Sequence, residues 1–64
     1  MPKHPKVVIE LPEVGNTYTL ASRTRAALKR SGVSNEDCAA FFLEATSGDY
    51  NHAVKTVKQW ITTR

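Results

Sequence analysis

The sequence predicts a mainly α domain, a small three-helix unit with an N-terminal β-strand arm. Three observations lead there. Apolar residues recur at helical spacing in three successive segments, and each segment is preceded by a residue suited to cap a helix: Asn16 or Thr17, Ser34 and Asp49. Ahead of them stands Val7-Val8-Ile9, a β-branched run closed by Pro12. At 64 residues this is one domain, and a chain of that size buries only about 60% of its unfolded surface.

Residues 1–5 form a polar tail whose prolines, Pro2 and Pro5, oppose both helix and interior strand, so the tail is expected to be flexible. The arm runs over residues 6–11. Its strand needs a partner for its backbone groups. A hairpin with Thr17–Leu20 through Pro12 to Asn16 is one candidate, but those residues read better as a helix start. The simplest partner is then the same strand of a second copy, with Val7, Val8 and Ile9 as the interface of a homo-oligomer, most simply a dimer.

Residues 16–64 are expected to form the three-helix bundle. In the first helix Leu20, Thr24, Ala27, Leu28 and Ser31 fall on one side at about 100° per residue, and Gly32 ends the run. Ser34 then caps a second helix whose first turn carries Glu36 and Asp37, where the helix dipole favours negative charge. Its Cys38, Phe41, Phe42 and Ala45 repeat at i, i+3, i+4, i+7, marking it as the core helix. Gly48 is expected to stop it in a left-handed conformation, and Asp49 to cap the third helix directly. There Ala53, Val54, Val57, Trp60 and Ile61 form the apolar stripe. The chain carries no internal repeat and no low-complexity tract.

The composition excludes several function classes. A single cysteine, Cys38, cannot close an intramolecular disulfide, and no Cys/His cluster has metal-ligand spacing, so neither metal nor cofactor is expected. No apolar run has the length of a secretory signal or a membrane span, which points to the reducing cytoplasm and away from a membrane. A formal charge of +3 favours anionic partners.

The strongest functional signal is in the first helix, where Arg23, Arg25, Lys29 and Arg30 stand with no acid between Asn16 and Ser31. Arg23 and Arg30 are seven apart and share one side, while Arg25 and Lys29, four apart, share another. Two cation pairs can bracket phosphates, with arginine offering bidentate geometry. The plainer reading is a solvated face whose basic C-terminal end suits the helix dipole. Arg23 and Arg30 are chosen as the ligand pair because they flank the expected apolar stripe. Tyr18, at the front of this helix and off the stripe, either stacks on a base or packs against the strand. Phe41, Phe42 and Trp60 lie at helical spacing and are core residues. Ser47, Asp49 and His52 look like a catalytic cluster only superficially. Ser47 and Asp49 are accounted for by helix termination and capping, and Cys38 lies on an apolar stripe as a small hydrophobe, so no catalytic residue is assigned.

The string Glu44-Ala45-Thr46-Ser47-Gly48-Asp49-Tyr50, with His52, Thr56, Val57 and Trp60, resembles a family of short bacterial and phage proteins that share this helix junction. The resemblance brings no activity with it and implies an origin in a phage or other mobile element. Thr46, Gly48, Asp49 and Ala53-Val54 also resemble the junction between helices two and three of ubiquitin-associated domains, which implies a three-helix shape. Those domains grip ubiquitin through an apolar Met-Gly-aromatic turn. Here that turn is Ser31-Gly32-Val33, so ubiquitin binding is not carried over.

Two functions follow from this reading, neither of them enzymatic. In the first, basic helices of a homo-oligomer bind nucleic acid or a nucleotide, which a phage protein would sequester from host defence. In the second, the protein is an interaction module or inhibitor acting on a bacterial protein through its strand or a helical face.

Overall fold

The computed structural model describes residues 2–11 and 15–64. The chain runs β1 (His4–Ile9), α1 (Thr17–Arg30), α2 (Asn35–Ala45), α3 (Tyr50–Trp60) and β2 (Ile61–Thr63). The three helices pack pairwise around one core, and the two strands form a parallel pair at its side.

Each helix begins where a side chain can serve its first amides. Asn16 accepts from the Thr19 amide at 2.8 Å, Ser34 from Asp37 at 3.2 Å and Asp49 from His52 at 2.9 Å. The end of α1 is a Schellman motif. The Gly32 amide donates to the Lys29 carbonyl and the Val33 amide to the Leu28 carbonyl, with Gly32 at φ +89° and Val33 packed back on the core. The end of α2 differs from the expectation. Gly48 does not have positive φ; Thr46 and Ser47 instead close the helix by bonding back to the Phe42 and Glu44 carbonyls.

The core comprises Leu20, Ala21 and Leu28 of α1, Cys38, Phe41 and Ala45 of α2, Ala53, Val57 and Trp60 of α3, and Val7 and Ile61 from the strands. Thr24 and Thr56 are buried too, each donating its hydroxyl to the carbonyl four residues back, Leu20 and His52 at 2.9 Å. Those bonds remove the cost of burying a hydroxyl. In α1 the buried stripe is rotated from the expected one: Ala21 is fully buried, Ala27 only partly and Ser31 is exposed.

The strand arm is also corrected. It starts at His4, inside the segment expected to be a flexible tail, and Lys3 already donates its amide to the Gln59 carbonyl at 3.1 Å. Its partner is β2 of the same chain, a strand read from the sequence as helix and beyond. Val8 pairs with Thr62 and Ile9 with Thr63, and the Arg64 amide donates to the Ile9 carbonyl. The register is irregular between His4 and Val8. Pro5, which has no amide to give, sits in that irregular stretch, and its carbonyl accepts the Thr62 hydroxyl at 2.8 Å. With Val7 in the core of its own chain and Val8 and Ile9 paired internally, the argument for a second copy as strand partner falls away. The Cα radius of gyration, 10.3 Å, matches the roughly 10.7 Å of a compact chain this long and leaves no room for a projecting arm. Pro12, expected to close the strand, lies outside the described residues, and Thr17–Leu20 is helical.

Candidate anion-binding face

The α1 helix buries Leu20, Ala21, Thr24 and Leu28, so its cations stand on the two flanks of that stripe. Because Ala21 rather than Ser31 completes the stripe, the buried side turns toward Arg25. The flank holding Tyr18, Arg25 and Lys29 then faces α2, and the flank holding Arg23 and Arg30 faces β1.

On the α2 side, Arg25 and Lys29 line a concavity of about 460 Å³ together with Ala26, Asn35, Cys38 and Ala39. The Arg25 guanidinium lies 4.5 Å from the centroid of the Phe42 ring. Tyr18 meets the same ring at 5.9 Å and a 58° tilt, while remaining 66% exposed. Phe42 thus braces a cation and an exposed aromatic seven residues apart on α1. The sequence placed Phe42 in the core, but it is only half-buried; its position at the edge of the α2 stripe was the available sign.

On the β1 side, Arg30 lines an open groove of about 310 Å³ with Lys6, Val7, Val8, Ala27 and Ser31. Lys6 was missed by the sequence reading, since nothing in the strand's own pattern brings it next to α1. Arg23 is exposed and borders neither hollow. The structure therefore brings Arg25 and Lys29 to one concavity, brings Tyr18 to Arg25 through the shared Phe42 ring, brings Arg30 to Lys6, and leaves the pair expected from the sequence, Arg23 and Arg30, without a concavity of its own. Among the described residues no acidic side chain lines either hollow and the α1 cations form no ion pair.

The cluster at the second junction has a structural role. Ser47 donates its hydroxyl proton to the Glu44 carbonyl at 2.8 Å, and His52 Nε2 stands 3.0 Å from that carbonyl and 3.2 Å from Ser47 Oγ. A carbonyl can only accept, so Nε2 carries the proton and cannot take one from Ser47. His52 thereby caps the end of α2 from the first turn of α3, with the Glu44 carboxylate 3.6 Å away. Cys38 is 4% exposed, and its thiol reaches the Val33 carbonyl at 3.8 Å. Among the described residues no group of three potential metal ligands comes together, and no helix is long and apolar enough to cross a membrane.

Comparison with protein-family models, with curated proteins and with solved structures gives no match.

Proposed function

We propose that the protein is a non-enzymatic binder of a phosphate-bearing ligand, nucleic acid or nucleotide, on the exposed side of α1. One observation carries the reading: an acid-free helix presents Arg25 and Lys29 to a concavity, on the flank that also carries the exposed Tyr18, which shares the Phe42 ring with Arg25. Guanidinium and ammonium groups meet phosphate oxygens, and an exposed aromatic gives a base a surface to stack on. The test is a titration at low salt with RNA, DNA and cyclic and linear nucleotides. Replacing Arg25→Ala with Lys29→Ala should weaken binding ten-fold or more, about 1.4 kcal/mol, with helix content retained. No binding to any of these ligands would overturn the proposal.

A second reading, a protein-interaction module, is favoured by the two-stranded sheet. Among the described residues each strand of the two-stranded sheet has one edge that no other strand pairs, and Val8 on β1 is 42% exposed. A partner strand could add there, and such binding would be nearly indifferent to salt.

A further inference from the structure

We propose that the ligand is a single-stranded polynucleotide whose backbone crosses the outer side of α1 from one flank to the other; this rests on the anionic-ligand reading and narrows it. The cations are not gathered in one pocket. Arg25 and Lys29 border the hollow against α2, while Arg30 borders the groove against β1, where Lys6 joins it, and Arg23 stands about two turns before Arg30 on the same side of α1.

A helix with its side chains is about 10–12 Å across, so the two sets stand on opposite shoulders of a ridge of that width. The phosphates of a mononucleotide are clustered at one sugar and can engage one shoulder. A polynucleotide carries phosphates at every sugar and engages both. Among the described residues neither hollow is lined by an acid, and α1 between them carries none. Tyr18 favours a single strand over a duplex. At 66% exposure and tilted against Phe42, it offers a stacking surface to an unpaired base on the same flank as Arg25 and Lys29, whereas bases inside a duplex have no free face.

Fluorescence anisotropy with labelled oligothymidylates, from the mononucleotide to about 12 nucleotides, tests this. Affinity should rise at least about ten-fold with length and then level off. For the longest oligomer the slope of log K against log salt should be near −3, given about −0.7 per phosphate neutralised on a single strand. Arg23→Ala with Arg30→Ala, and separately Arg25→Ala with Lys29→Ala, should each make that slope shallower by about 1.4. Arg23→Lys with Arg30→Lys should restore it, which separates charge from any loss of helix. The proposal is overturned if the mononucleotide binds as tightly as the oligomer, or if Arg23→Ala with Arg30→Ala leaves oligomer binding unchanged. Mononucleotide binding that depends on Arg25 and Lys29 alone would leave the broader anionic-ligand reading standing, and no binding at any length would end both.

Discussion

Gly32 sits at φ +89° with nothing within 4 Å of where a Cβ would stand, whereas a Cβ on Gly48 would lie 2.9 Å from His52 Cβ and Cγ. At Gly32 the constraint is backbone conformation, and at Gly48 it is space. Gly32→Ala should therefore cost about 1 kcal/mol, and Gly32→Asn less, because asparagine enters the left-handed region more readily. At Gly48 the order should vanish: Ala and Asn both collide with His52 and pull it from the Glu44 carbonyl, each costing about 1–3 kcal/mol. Urea denaturation of the four variants checks this, and tolerance of Asn at residue 48 would refute it. Cys38→Ala should likewise lower stability, and a thiol reagent should label native Cys38 slowly. The sequence placed Gly32 at the end of α1 correctly, but put the end of α2 at Gly48, where Thr46 and Ser47 close the helix instead. It could not separate the reasons for the two glycines, because the approach of His52 exists only once α2 and α3 are packed.

Among the elements, the caps and the apolar spacing were legible because they are local. Asn16, Ser34 and Asp49 act on amides three residues away, and the buried positions recur at i, i+3, i+7 in α2 and at i, i+3, i+4, i+7 in α3. The second strand was not legible. Ile61 continues the α3 stripe four residues beyond Val57, so helical periodicity absorbed it, although Ile61-Thr62-Thr63 is itself a β-branched run. The chain turns extended at Ile61 (φ −138°, ψ 171°), and there Ile61 fills the core at 1% exposure. Ile61→Ala should cost about 2–5 kcal/mol by leaving a cavity, while Thr62→Val, which removes only the bond to the Pro5 carbonyl, should cost about 1 kcal/mol. Thermal denaturation compares them. Equal effects would mean that β2 is held by its backbone rather than by its side chain in the core.

At the scale of the molecule, Trp60 joins the arm to the bundle. Its ring meets Phe41 edge-on at 5.6 Å, stacks on His4 at 5.9 Å, and carries the Lys3 ammonium 4.3 Å from its centroid. As the single tryptophan, it reports on that joint directly. Unfolding followed by tryptophan fluorescence and by far-ultraviolet circular dichroism should coincide, since the arm and the helices share one core. A fluorescence change well before the helical signal would show that the arm opens alone. The charge of the candidate site was legible at this scale, as four cations on one acid-free helix. Which cations meet which hollow was not, because it depends on Ala21 packing inward and on where α2 and β1 lie against α1. The parallel pairing of β1 with β2 has a temporal consequence. The first strand to leave the ribosome pairs with the last, so throughout synthesis of the helices Val8 and Ile9 have no strand partner in their own chain. During that interval the arm is an open template for any other extended segment, and the pairing of Val8 and Ile9 with Thr62 and Thr63 is what withdraws it.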